Sequence, residues 1–246
     1  MKKKTSKAAK LAASPALIDD LVAGSRILAK EGVLDGYGHI SARSDKRPTH
    51  FIMSRSRAPA LVTAADLMEL DPDSEPMPGD DRKGFIERYI HGEIYRTRPD
   101  VMAVVHSHSP SVIPFGVTKT KLRPVYHMGS FLWSGAPVWD IRQVRRENDV
   151  LVRDRPLGQA LANALGSCNC VLMRGHGMTV VGDGVQEAVF RAIYTEMNAR
   201  LQIQALQLEG PIEFLSEEEG KRSTAANRGT VERPWELWKK HALDSN

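Results

Sequence analysis

The sequence predicts an α/β protein, and three observations carry that reading. Val101-Met102-Ala103-Val104-Val105 is an apolar, partly β-branched run of strand length that stops abruptly at His106-Ser107-His108-Ser109-Pro110. His39-Ile40-Ser41-Ala42-Arg43 and Phe51-Ile52-Met53-Ser54 read as two short strands around a polar turn, most simply a hairpin. From about Gly184 to Leu208, Val185, Ala188, Val189, Ala192, Ile193, Met197, Leu201 and Ala205 recur at helical spacing.

The remaining elements follow from local signals. Ser14-Pro15 opens a helix, Ser as N-cap and Pro at the first helical position, with Leu17, Ile18, Leu21, Val22, Ile27 and Leu28 inward and an end near Gly32. Thr63 caps a short helix through Ala64, Ala65, Leu67 and Met68, and the Pro-, Asp- and Gly-rich stretch after it is loop. Phe85 to Arg98 is helical, closed by Pro99-Asp100. Beyond the central strand, Ser109 to Val117 suits a short helix, and 123–127 and 136–138 suit short strands. Leu157 to Leu165 is a helix, and Asn169 to Met173 a buried strand ending in the turn Arg174-Gly175-His176-Gly177. Ser216 to Arg222 and Arg233 to Leu243 are helical, the second a candidate for docking on a neighbouring subunit.

Composition bounds the function. A chain of 246 residues, 41% hydrophobic and 26% charged, is an ordinary soluble globular one with room for a real core. Lys2, Lys3, Lys4, Lys7 and Lys10 contribute more than the whole formal charge of +4 and leave the remainder at −1. The basic balance therefore belongs to a tail, read as solvated and disordered over residues 1–13, with 14–246 as a single domain carrying a C-terminal helical extension. No zinc-finger spacing or RNA-binding aromatic signature supports a nucleic-acid partner. No apolar run approaches the roughly 20 residues of a membrane span, and the lysine-rich start lacks the apolar region of a secretory signal. Cytoplasmic residence is the default. Cys168 and Cys170, too few for a disulfide framework, share a face of a probable strand as core thiols.

The chemistry gathers at strand ends. Alternate residues on an extended chain point the same way, so His106 and His108 present two imidazoles to one point. By itself such a pair reads equally as two surface histidines; His176 between Gly175 and Gly177, and Glu87 in the first turn of the preceding helix, supply company. Three imidazoles and a carboxylate make a plausible open site for one divalent ion. His39 reads either as a donor to substrate or as a structural turn histidine, and His91 either as a partner holding Glu87 or as a solvated residue.

The order Glu87, Tyr95-x-x-Arg98-Pro99-Asp100, His106-x-His108 and His176-Gly177 resembles the class II aldolase/adducin family over roughly residues 14 to 210. That resemblance implies a three-layer α/β/α fold with a central, mainly antiparallel sheet, and a homotetramer with active sites between subunits. It also implies that His106, His108 and His176 ligate the metal and that Glu87 is the acid/base, able to ligate as well. Zinc is the expected ion, with Mn, Fe or Co as others the site would take. Where sugar-phosphate members carry small phosphate donors, this chain has Gly38-His39-Ile40-Ser41, Ser54-Arg55-Ser56-Arg57 and Phe85-Ile86-Glu87. Arginines suit planar carboxylates better than a phosphate cradle of small donors does.

The variant set is similar to the decarboxylase branch of that family. It implies loss of CO2 from a hydroxylated aromatic or ring-cleavage dienoic acid, such as a dihydroxyphthalate, during aromatic catabolism. Arg55, Arg57, His39 and Ser54 are then the expected substrate-binding residues, and Tyr126 and His127 stand in reserve to Glu87 as proton donors. An aldolase for an unphosphorylated or acidic substrate and a non-catalytic, adducin-like module are the rival readings.

Overall fold

The computed structural model describes residues 11–243. Its helices are α1 (Pro15–Lys30), α2 (Arg88–Thr97), α3 (Ile113–Val117), α4 (Arg155–Leu165), α5 (Val185–Leu206), α6 (Glu217–Arg228) and α7 (Glu232–Leu243). Its strands are β1 (His39–Arg43), β2 (Phe51–Ser54), β3 (Leu67–Leu70), β4 (Ala103–Ser107), β5 (Val138–Trp139), β6 (Cys170–Met173) and β7 (Gly177–Gly182). They form one sheet in the order β3-β2-β1-β4-β7-β6-β5, antiparallel except for the β5–β6 pair.

Period-two alternation divides the core. Ile40, Ala103, Val105, Leu172 and Val180 face one apolar cluster, shared with α1, α5 and α7; Met53, Val104, Val171, Met173 and Val181 face another, shared with α2 and α4. The result is the expected three-layer α/β/α fold with a mainly antiparallel sheet. A one-residue slip of β4 would exchange Val104 with Val105 and carry His106 off the α2 face, so core packing also holds the site in register.

Several local expectations are corrected. Only Ala64–Asp66 form a turn of 3-10 helix, closed by a reciprocal Thr63–Asp66 cap; Leu67 and Met68 belong to β3 and pack on opposite faces. Residues 123–127 are not a strand, because Asn198 and Gln202 of α5 satisfy the backbone of Arg123 and Val125 in place of a sheet neighbour. α2 starts at Arg88 rather than Phe85, with Glu87 at its N-cap position. Strand alternation begins only at Cys170, so Cys168 packs with the α4 side while Cys170 is buried on the other. α7 docks on its own chain, burying Trp235 and Trp238 in the cluster with α1 and α5. Residues 1–10 of the expected tail lie outside the described residues. Its boundary at 13 is too late: Leu11 and Ala13 pack on the core, and the Ala12 amide donates to the buried Glu69 carboxylate at 3.0 Å. No described helix is long and apolar enough to cross a membrane.

Candidate active site

Register builds the site. β1 and β4 pair with His39 opposite His106 and Ser41 opposite Val104, so His39, Ser41 and His106 share the face that α2 covers. β4 ends at Ser107, and His108 lies just beyond it. His176 sits in the tight β6–β7 connection, which passes so close to β4 that a Cβ on Gly177 would fall 2.0 Å from the Ser107 carbonyl oxygen. Glu87 reaches the same point from the start of α2.

Ligand atoms of Glu87, His106, His108 and His176 all lie within 4.8 Å of one another. His108 Nε2 and His176 Nε2 are 3.1 Å apart, and Glu87 Oε2 stands 3.6 Å from His106 Nε2 and 3.5 Å from His176 Nε2. Two of the imidazoles are oriented from behind. His106 Nδ1 meets the Met178 carbonyl at 3.1 Å, and His176 Nδ1 meets the Val150 carbonyl at 2.8 Å. A carbonyl only accepts, so each Nδ1 carries the proton and each Nε2 lone pair faces the centre. His106 Nε2 is buried without a hydrogen-bond partner, as a nitrogen reserved for a cation would be. The donor set therefore fits a divalent ion of the zinc type.

Protonation states agree at Glu87, His106 and His108. Burial pushes the Glu87 carboxyl up, but His176 and His106 overcome it and hold the group at about 2, an anion. Burial drives His106 well below the usual imidazole range and also lowers His108, where His176 adds to the effect. His176 runs the other way: burial lowers it, but its hydrogen bond to Glu87, the Glu87 charge and the Val150 carbonyl together overcome that and raise it, so a cation binding here displaces its proton. A carboxylate with neutral imidazoles is the state that cation binding requires.

The segment from Asn148 to Val152 backs two ligands at once. The Val152 amide donates to Glu87 Oε1 at 2.9 Å, and the Val150 carbonyl receives His176. Val150 has φ 60°, a left-handed conformation that is costly for a β-branched residue. Asn148 holds it there, accepting from the Val150 amide at 3.1 Å and donating to the carbonyls of Arg145 and Arg146.

Beside the cluster opens a cavity of about 390 Å³ whose lining includes Tyr37, His39, Arg57, Lys83, Phe85 and Ile86, together with Glu87 and His108 of the cluster itself. His39 stands against Phe85 with ring centroids 4.4 Å apart. Arg57 lines this cavity, its Nε donating to the Leu61 carbonyl at 2.7 Å and lying 3.2 Å from Asp66. Arg55 is not in the lining; it is tied to Asp66 Oδ1 at 2.8 Å. Ser54 is buried at the end of β2, paired with Leu67. Tyr126 and His127 lie away from the cavity, where a 3-10 turn over His127–Ser134 begins. The Tyr126 hydroxyl is buried without a partner among the described residues, and His127 is exposed. His91 neither holds Glu87 nor meets solvent: it is fully buried and binds His39 and Ser41. Lys83 and the backbone of Val150 and Val152 were not foreseen. A lysine in a polar loop has many readings, and backbone donors leave no mark on residue type.

The profile described as Class II Aldolase and Adducin N-terminal domain matches residues 19–203. The chain belongs to the class II aldolase/adducin family. This family member is 39% identical over 240 residues to a Talaromyces stipitatus protein called decarboxylase tropJ, covering 88% of this chain and 90% of that one. It is 32% identical over 207 residues to 3,4-dihydroxyphthalate decarboxylase of Arthrobacter keyseri, covering 77% and 79%. Among solved structures, L-fuculose 1-phosphate aldolase from Glaciozyma antarctica superposes with a TM-score of 0.76 at 22% identity, over 96% of this chain and 94% of that one. At that identity the likeness concerns the fold.

Proposed function

We propose that this class II aldolase/adducin protein is a metal-dependent carboxy-lyase that removes CO2 from a hydroxylated aromatic or ring-cleavage dienoic acid in aromatic catabolism, in the cytoplasm. The observation that carries the reading is the juxtaposition of the Glu87/His106/His108/His176 cluster with a cavity holding Arg57 and Lys83 on a wall made by Phe85 and Ile86. Cations suit the acid, and a flat apolar wall suits a conjugated body better than a polyol. The kinship with two named decarboxylases supports the same chemistry.

A divalent ion held by these four residues, zinc in the first place and otherwise Mn, Fe or Co, supplies a Lewis acid for negative charge on a substrate oxygen. Arg57 orients a carboxylate through paired hydrogen bonds, and Lys83 adds a point charge. When the bond to the leaving carboxylate breaks, its electron pair stays on the substrate, CO2 departs, and the carbon takes a proton. Glu87, held ionised, first accepts the substrate hydroxyl proton and then returns it to that carbon. Tyr126 and His127 take part only in a neighbouring subunit's site, within the proposed homotetramer. The test is a panel of hydroxylated phthalates and dienoic acids assayed for CO2, beside fuculose and ribulose phosphates assayed for aldehyde. CO2 from an acid and no sugar-phosphate cleavage is expected; the reverse transfers the protein to the aldolases.

A further inference from the structure

A line of buried hydrogen bonds runs from the cavity into the α2 face of the sheet. His39 Nδ1 is 2.7 Å from His91 Nε2, His91 Nδ1 is 2.6 Å from Ser41 Oγ, and Ser41 Oγ is 2.7 Å from the Tyr95 hydroxyl. Two periodicities bring these residues together. His39 and Ser41 are two apart on β1, and His91 and Tyr95 are four apart on α2, so each pair presents one face to the other. All four are buried, and only His39 borders the cavity.

The line has one direction. Among the described residues the Tyr95 hydroxyl has one hydrogen-bond partner, Ser41 Oγ. A buried phenol proton is costly to leave unpaired, so it goes to that oxygen. Ser41 then donates to His91 Nδ1, its other neighbour, which leaves the His91 proton on Nε2. His91 Nε2–H donates to His39 Nδ1, and the His39 proton is left on Nε2, the nitrogen not engaged in the line. Burial keeps His91 neutral, lowering it to about 3, so no second proton scrambles the order.

We propose that His39 is a neutral hydrogen-bond donor to an oxygen of the bound acid, and that His91, Ser41 and Tyr95 are positioning residues that fix its tautomer. This rests on the reading of the cavity as the substrate site. A donor that stays uncharged polarises an oxygen without competing with the cation for anionic groups, and burial prevents it from turning away. His39 and His91 thus carry the tautomer opposite to that of the ligands His106 and His176, though His39 and His106 face each other across β1 and β4 with ring centroids 5.2 Å apart.

Long-range proton–nitrogen NMR of the zinc-loaded protein reads the tautomers with no turnover required. Nε2–H on His39 and His91 with Nδ1–H on His106 and His176 is expected; a His39 protonated at Nδ1 overturns the proposal. Adding 2,3-dihydroxybenzoate, a hydroxylated aromatic acid first checked to release no CO2 with this protein, should move the His39 Nε2–H resonance, and a resonance that stays fixed at saturating acid overturns the donor role. Tyr95→Phe should retain zinc, mix the His39 tautomers and lower affinity for the same acid about three- to tenfold; Ser41→Ala should do the same. In a His39→Gln background, whose amide donor needs no tautomer, Tyr95→Phe should have no further effect, and an undiminished effect there overturns the positioning role. Loss of CO2 release from every acid with the tautomer pattern intact would sink the proposed reaction and leave this arrangement standing.

Discussion

Two groups of histidines share one face of the sheet and are held in different ways. Behind the ligands His106 and His176 stand the backbone carbonyls of Met178 and Val150; behind His39 and His91 stand the hydroxyls of Ser41 and Tyr95. A carbonyl can only accept, so the ligand tautomers are dictated by the fold itself and no side-chain deletion reverses them. A hydroxyl both gives and takes, so the direction of the second group depends on its far end, and one oxygen atom removed at Tyr95 erases it. The metal cluster is thus built to tolerate sequence change around it, while the substrate donor is built to be tuned.

The largest effects should come from the ligands. His106→Ala, His108→Ala and His176→Ala should each lose bound metal and fall to background CO2 release while staying folded; full metal occupancy by elemental analysis would remove that residue from the ligand set. Glu87→Gln keeps the shape but cannot carry the proton, and turnover should drop roughly 10²–10⁴-fold, far more than substrate affinity. Near-normal turnover would hand proton delivery to Tyr126 or His127 of a neighbouring copy, or to water.

Since backbone carbonyls hold the ligands, a change that moves that backbone should loosen them from behind. Val150→Pro cannot adopt φ 60° and should displace the carbonyl from His176, lowering metal affinity about 10–100-fold in chelator competition. Unchanged affinity would mean that His176 needs no support from that segment.

The two groups should show together in acid. Burial lowers His39, His91 and His106, with other histidines adding to the effect at His39, so the folded chain refuses protons that the unfolded chain accepts. Above the usual 6.5 both states are neutral there; below it, metal-free stability should fall as pH falls, with a limiting slope of about 4 kcal/mol per pH unit for three groups. His176, raised, acts the other way, and its contribution is lost as pH rises above 6.5. Chemical denaturation between pH 7 and 5.5 checks this, and a flat profile would mean that these histidines protonate in place. The smallest effect is reserved for the cavity rim. Arg57→Lys should weaken acid binding several-fold and Arg55→Lys should do little, since only Arg57 lines the cavity.

What was readable in the sequence follows the same division. Spacing on strands is periodic, so His106 and His108 could be placed from residue order; Glu87 could be placed near the start of α2, though that helix begins at Arg88 rather than Phe85; and Gly177 marked the close approach that brings His176 in. β7 left a weak trace, because Gly177-Met178-Thr179-Val180-Val181-Gly182 is bounded by glycines that read as turn. Leu67 and Met68 looked helical beside two alanines until pairing with β2 claimed them. His91 lies four residues from Glu87 and was aligned with it on that ground, but the helix turns it toward β1, a contact far away in sequence. Arg55 and Arg57 looked alike, and both reach Asp66; only Arg57 lines the cavity, a distinction that depends on the folded loop.

The most direct test of the central claim is reconstitution. Metal-stripped protein is titrated with zinc, and the initial rate of CO2 release from 3,4-dihydroxyphthalate, or whichever acid of the panel reacts, is followed against bound metal per chain. A rate that rises in proportion to bound metal and levels off at one ion per chain, with no such rise in His176→Ala, is the predicted result. Undiminished CO2 release from the fully stripped protein would contradict it.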